Sequence, residues 1–337
     1  MPKILAFESS CDETCAAVIG DGPTVLSDVV YSQASTHLRF GGVVPEIASR
    51  EHLVQIGLMA QRALEQAHLH LQDLDAVAVT TGPGLIGSLF VGVMFAKGLA
   101  LANDLPLIEV NHLEGHLAAC ELVAPDISYP HIALLVSGGH TSLYRVNEPL
   151  NYIQLGGTID DAAGEAFDKT AKLLGFPYPG GAALATAGVS GHRQFIKLPV
   201  ALSQRDNLNF SFSGLKTAVA LAVKTFDGLQ KGSAEHRDLC ATVEHAIVEA
   251  LVRKTQRACE LQQLNTVVLA GGVAANQYLR QQMQQALGPR GCVIAPPARW
   301  CTDNAAMIGV AALQHFSKNE FGSLAAVPRA YAPLTSP

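Results

Sequence analysis

The sequence predicts an α/β protein in which one structural plan is used twice. Of its 337 residues, 49% are hydrophobic and only 15% charged, which suits a large core and excludes a chain kept disordered by charge. At about 100–200 residues per domain, this length fits two domains. Short apolar runs and longer helical patterns recur in the order βββαβαβα in each half, with glycine-rich turns at matching places.

In the first half, Lys3–Phe7, Thr14–Ile19 and Thr24–Val30 read as strands, with the polar turn Ser9-Ser10-Cys11-Asp12-Glu13 between the first two. A helix is expected over residues 45–69, because Ile56, Ala60, Ala63, Leu64 and Ala67 share a face and Pro45 suits the first turn. A strand at Ala76–Thr80, the turn Thr81-Gly82-Pro83-Gly84, a helix near Ser88–Ala102, a strand at Leu107–Val110 and a helix from His112 complete this half. The second half predicts strands at Ile132–Val136, Thr141–Val146 and Tyr152–Leu155, then a helix near Ala163–Leu174. After an inserted helical region at about 175–237 come a long helix near Leu239–Leu261, a strand at Thr266–Leu269 and the turn Ala270-Gly271-Gly272-Val273. A helix near Ala275–Leu287, a strand at Gly291–Ile294 and a helix from Asp303 close the repeat. The expected domains are residues 1–125 and 126–337.

Composition narrows the function classes. The 23 Lys and Arg against 29 Asp and Glu give a formal net charge of −6, so a polyanion must be held by a local patch rather than by net charge. One candidate is His192–Arg237, where Arg193, Lys197, Arg205, Lys216, Lys224, Lys231 and Arg237 outnumber Asp206, Asp227 and Glu235. Seven cysteines without a C-x-x-C pair, and no signal-peptide pattern at the start, indicate a reducing, cytoplasmic compartment. The longest apolar stretch, Leu89–Ala102, is interrupted by Lys97, so no membrane span is expected.

Chemistry concentrates in three places. In Asn111-His112-Leu113-Glu114-Gly115-His116, two imidazoles four residues apart project from one helix face, which is metal-ligand spacing. The segment is not H-E-x-x-H, because Glu114 does not adjoin His112. In the duplicated plan the equivalent loop of the second half carries Asp303, so two histidines and a carboxylate can share a central ligand cleft; such a set suits Fe(II) or a catalytic Zn²⁺. Nearby Cys301 reads as a buried structural thiol. Ser137-Gly138-Gly139-His140 after a buried strand offers successive backbone N–H groups to phosphate oxygens. Asp160 and Asp161 read as helix-start residues, whereas Asp168, about one turn into the same helix, can accept from ribose hydroxyls.

Paired α/β halves of this order resemble the duplicated actin-like (ASKHA) fold of actins and sugar kinases, in which nucleotide phosphates lie against two hairpin turns. A narrower resemblance rests on motifs in order: Glu8-Ser-Ser-Cys-Asp12-Glu13-Thr14, Gly41-Gly-Val-Val-Pro45-Glu46, Gly82-Pro-Gly-Leu, His112-Leu-Glu-Gly-His116, Leu135-Val-Ser-Gly-Gly-His140-Thr, Asp160–Lys172, Pro179-Gly-Gly, Phe210-Ser-Phe-Ser-Gly-Leu-Lys216-Thr, Ala270-Gly-Gly-Val-Ala-Ala-Asn276 and Cys301-Thr-Asp303-Asn304. Together they resemble the bacterial tRNA N6-adenosine threonylcarbamoyltransferase family over nearly the whole chain. Departures are Ser9 where Thr is common, Ala182 where Pro is usual, and Ala185 where some members carry an acid.

The resemblance implies transfer of threonylcarbamoyl from threonylcarbamoyl-AMP to the N6 amine of the adenosine 3′ of the anticodon, in tRNAs reading codons that start with A, with release of AMP. It implies metal ligands His112, His116 and Asp303 for one Fe²⁺, with Zn²⁺ as alternative. It places the adenylate against Leu135, Val136, Ser137, Gly138, Gly139, Asp168, Gly181 and Asn276. An inactive paralogous subunit as heterodimer partner and a small P-loop ATPase are the implied protein partners. Asp12 and Glu13 are the nearest uncommitted carboxylates for the amine proton, and the basic stretch with Lys216 is the expected tRNA surface. Three other classes remain testable: a zinc endopeptidase, by chelator-sensitive peptide cleavage; a kinase or ATPase, by ATP turnover without tRNA; and a scaffold, against which retention of His112, His116 and Asp303 argues.

Overall fold

The polar turn after residue 8 folds the chain back on itself, and a meander results: β1 (Ile4–Glu8), β2 (Glu13–Gly20) and β3 (Thr24–Ser32). The computed structural model describes residues 2–202, 204, 207–226 and 229–334. A short helix α1 (Ala34–Leu38), absent from the sequence expectation, precedes α2 (Pro45–Ala67), which starts at its proline as expected. Then come β4 (Ala76–Gly82), α3 (Ile86–Ala102), β5 (Leu107–Asn111) and α4 (His112–Ala118). The second meander is β6 (His131–Val136), β7 (Thr141–Glu148) and β8 (Asn151–Gly157). It is followed by α5 (Ala163–Leu173), α6 (Gly181–Gly188), α7 (Ser213–Thr225) and α8 (Ala234–Gln262). The chain then runs through β9 (Thr266–Ala270), α9 (Gln277–Leu287), β10 (Cys292–Ile294) and α10 (Ala305–Ser317).

Both sheets have the same plan. The first is ordered β3-β2-β1-β4-β5 and the second, read from the other end, β8-β7-β6-β9-β10. In each the first strand is central, antiparallel to its hairpin partner and parallel to the strand that returns after a crossover. This is the mixed five-stranded sheet of the actin-like fold.

Side-chain alternation sets which residues of the first sheet face which layer. Ile4, Ala6, Ala76, Ala78 and Ile108 face Ala305–Ala312 of α10, while Leu5, Phe7, Val77 and Val79 face Ile56 and Met59 of α2 and Val93 and Ala96 of α3. The chain therefore divides differently from the expected boundary near residue 125. One compact unit runs to Tyr129 and includes residues 147–152 and everything from Pro296 onward; the other holds 130–146 and 153–295. The reason is α10, whose residues 305–312 are all buried and pack on one face of the first sheet beside Ala118 and Ala119. Inside the inserted region only α6 and α7 are α-helices among the described residues.

Candidate metal centre and ligand-facing turns

Asn111 ends β5 and caps α4, accepting from Leu113 N at 2.9 Å while its Nδ2 donates to Ala332 O at 3.0 Å. The helix so fixed carries His112 and His116 one turn apart, ring centroids 4.7 Å from each other. Between them Gly115 allows α10 close, since a Cβ there would lie 2.7 Å from Ile308 Cδ1. That approach brings Asp303, just before α10, to the histidines: its Oδ1 is 3.6 Å from His112 Nε2 and 3.3 Å from His116 Nε2. Donor atoms of the three residues lie within 4.8 Å of one another, a grouping that could hold one metal ion. All three belong to the first unit, so the expectation of ligands from both halves is corrected: Asp303 follows β10 in sequence but packs with the first sheet.

The electrostatics suit a cation. His116 is 1% exposed, yet neither ring nitrogen has a hydrogen-bond partner among the described residues, a cost that a bound ion would remove. His112 differs: its Nδ1 lies 3.0 Å from Glu8 Oε2 and 3.2 Å from Ser10 Oγ. Burial alone would lower its pKa, but the carboxylates of Glu8 and Asp303 outweigh that and push it up to about 9. For Glu8 burial alone would raise the pKa, and the His112 contact holds it below the usual carboxylate range. Glu13, at the start of β2, is pushed up to about 9 by burial and by Asp303 and Asp12, and accepts from Ser32 Oγ at 3.1 Å. Cys301 Sγ donates to Pro296 O at 3.4 Å within the buried layer. Glu114, the residue a peptidase would need beside the metal, instead pairs with His315 Nε2 at 2.9 Å.

In the second unit, Leu135 and Val136 are fully buried in β6, so their side chains shape the sheet and do not face a ligand. Ser137 N is likewise committed, donating to His140 O at 2.8 Å, and His140 N donates back to Ser137 Oγ at 3.2 Å. These two bonds close the turn and leave Gly138 and Gly139 exposed, with open space where each Cβ would be and no acceptor for either amide among the described residues. Asp168 Oδ1 accepts from Gly180 N at 2.8 Å and Gly181 N at 2.9 Å, so it clamps the start of α6 with one oxygen and keeps Oδ2 for another donor. Asn276 caps α9 by accepting from Leu279 N at 2.8 Å and donates to buried Glu244 at 2.9 Å. Asp160 holds the start of α7 rather than α5, accepting from Phe212 N at 2.8 Å.

A family model described as tRNA N6-adenosine threonylcarbamoyltransferase matches residues 24–310. The chain belongs to the tRNA N6-adenosine threonylcarbamoyltransferase family. A curated member from Anaeromyxobacter dehalogenans (strain 2CP-C) is 52% identical, covering 95% of this chain and 96% of its own length. Another from Limosilactobacillus fermentum is 49% identical over 96% and 95%. Solved structures share the fold at low identity. The Acidaminococcus fermentans (R)-2-hydroxyglutaryl-CoA dehydratase component A is 17% identical with a TM-score of 0.57, over 93% of this chain and 99% of that one. Full-length HypF is 14% identical with a TM-score of 0.60, over 96% of this chain and 47% of that one. As a tRNA N6-adenosine threonylcarbamoyltransferase, the chain is a transferase that modifies the N6 amine of an adenosine in tRNA.

For a threonylcarbamoyltransferase two buried acids are conspicuous that sequence reasoning passed over. Glu8 ends a strand of apolar residues, and a charge in such a run is itself the signal. Glu244 lies on the buried face of α8, bonded to Asn276 and to Arg193 Nη2 at 3.4 Å. Of the basic stretch, Arg193 is thus committed internally, and Lys231 and Arg237 donate to Gly175 O and Gly232 O. Lys197, Lys216 and Lys224 are exposed, while Arg205, Asp206 and Asp227 lie outside the described residues.

Proposed function

We propose that each unit supplies one part of the threonylcarbamoyl transfer. In the first, His112, His116 and Asp303 hold one divalent ion, Fe²⁺ or alternatively Zn²⁺. When bound, that ion supplies a Lewis acid for the carbamoyl carbonyl. The reading is carried by one observation, the pair of unpartnered His116 nitrogens buried beside Asp303 and His112. Asp12, on the turn between β1 and β2, is the acceptor for the amine proton.

The second unit holds the donor, threonylcarbamoyl-AMP. Its phosphate takes the Gly138 and Gly139 amides, a ribose hydroxyl donates to Asp168 Oδ2, and Gly181 and Asn276 flank the nucleoside. The N6 nitrogen bonds to the carbamoyl carbon, the carbon–oxygen bond to phosphate breaks, AMP leaves with the electron pair and Asp12 receives the proton. An exposed apolar face on α2 and α3, with Leu53, Val54, Ile86, Phe90 and Met94, supports docking of a paralogous subunit; a small P-loop ATPase completes the assembly. Lys216 and Lys224 on the open face of α7 are the tRNA contacts, read by the salt slope of binding. No disulfide joins any of the seven cysteines among the described residues, which supports a reducing cytoplasm, and no helix among the described residues is long and apolar enough to cross a membrane.

The test is single turnover of preformed adenylate with undermodified tRNA. His112→Ala and Asp303→Ala should each slow transfer at least about 100-fold. Rates within a few-fold of the parent protein would remove the metal from the reading.

A further inference from the structure

We propose that Glu8 is the positioning residue of the metal centre: its carboxylate holds the Nδ1–H of His112 and so turns the Nε2 lone pair toward His116 and Asp303. The inference rests on the metal reading above and extends it to a residue outside the ligand set.

Glu8 is 1% exposed at the end of β1, 104 residues before His112. An unpaired carboxylate there would cost several kcal/mol, and the structure shows how it is paired. Its Oε2 accepts from His112 Nδ1 at 3.0 Å and from Thr80 Oγ1, and its Oε1 accepts from Ser10 N. Two of these donors come from β4 and from the turn after β1, so the carboxylate is fixed before any ion binds. A carboxylate can only accept, whereas a neutral imidazole has one N–H and one lone pair. Pairing therefore puts the proton on Nδ1 and the lone pair on Nε2, the atom that faces Asp303. The Ser10 hydroxyl, 3.2 Å from the same nitrogen, can donate or accept and selects neither tautomer. His116 has no such partner, so Glu8 fixes the tautomer of only one of the two histidines when the rings are neutral.

A purely structural role for Glu8, bracing Thr80 and Ser10, predicts altered stability with unaltered metal affinity. Zn²⁺ titration of the full chain against a competing chelator separates the two, with thermal unfolding in excess chelator confirming that each variant is folded. Glu8→Gln keeps the shape but can also donate to Nδ1 and so permits the wrong tautomer; its Zn²⁺ affinity should fall about 10-fold, and that of Glu8→Ala toward 100-fold. In the Zn²⁺-loaded parent protein, ¹⁵N–¹H spectra should show a protected Nδ1 proton on His112 that exchanges freely in Glu8→Ala. Should Glu8→Ala fail to fold, Glu8→Gln decides alone. Glu8→Gln binding Zn²⁺ within twofold of the parent overturns the proposal. His112→Ala is the control: if it too binds normally, the metal reading has failed, whereas a weakened His112→Ala beside an unchanged Glu8→Gln refutes the role of Glu8 only.

Discussion

In both units the turn after the first strand is approached by a glycine that follows the fourth strand. In the first unit a Cβ on Gly84 would lie 2.6 Å from Ser10 O; in the second, one on Gly271 would lie 2.4 Å from Val136 O. The surroundings of the two turns are opposite. Around the first are Glu8, Glu13, His112, His116 and Asp303, largely withdrawn from water, with Glu8 against His112 and Asp303 near both histidines. At the second, Gly138 and Gly139 have open space where a Cβ would be and no hydrogen-bond acceptor for either amide among the described residues. One topology thus offers the same two positions, and side-chain choice makes one suited to a cation and the other to an anion.

Three substitutions sharpen that contrast. The largest effect is expected for Gly271→Ala, where φ is +87° and the new methyl meets backbone. A loss of about 3 kcal/mol in denaturant unfolding is expected; a loss below about 1 kcal/mol would show that the second turn does not depend on this close approach.

Arg193→Ala comes next. It removes a partner of Glu244, a carboxyl that burial raises above its ordinary 4.5 against the opposing pull of Asn276 and Arg193. A raised carboxyl favours folding fully below its unfolded value, and that contribution is lost as pH rises through the folded value. The cost should therefore be about 1–3 kcal/mol at pH 7 and shrink toward pH 4.5, where Glu244 takes up a proton. A pH-independent loss would assign the effect to the stacking of Arg193 on Tyr278, 4.0 Å from its ring.

Gly138→Ala is the mildest for folding. Its methyl points into open space, so stability should change by less than about 0.5 kcal/mol while the KM for the adenylate rises. An unchanged KM would separate this turn from the donor.

Much of the fold was legible because it is periodic. The order of strands and helices along the chain, the start of α2 at Pro45 and the one-turn spacing of His112 and His116 are properties of short stretches, and each is present as expected. Short α1 escaped because its five residues show too little of a helical period to register. At the turns, residue types were readable but their commitments were not. Ser137 N was expected to be free, yet a tight turn uses it on His140 O; Asp160 looked like a cap for the helix that follows it, yet it serves α7, more than fifty residues on.

By itself the sequence determined two copies of one sheet plan, the apolar faces that bury them, and a pair of imidazoles on one helix. Tertiary structure decided which copy owns α10, and with it that Asp303 joins the first unit. It also decided that Glu8 reaches His112 and that Asn276 is held by Glu244. The physical reason is distance along the chain. Backbone geometry repeats every two or 3.6 residues and can be read locally, whereas a buried charge finds its partner through packing, which brings together strand ends and helix starts a hundred residues apart.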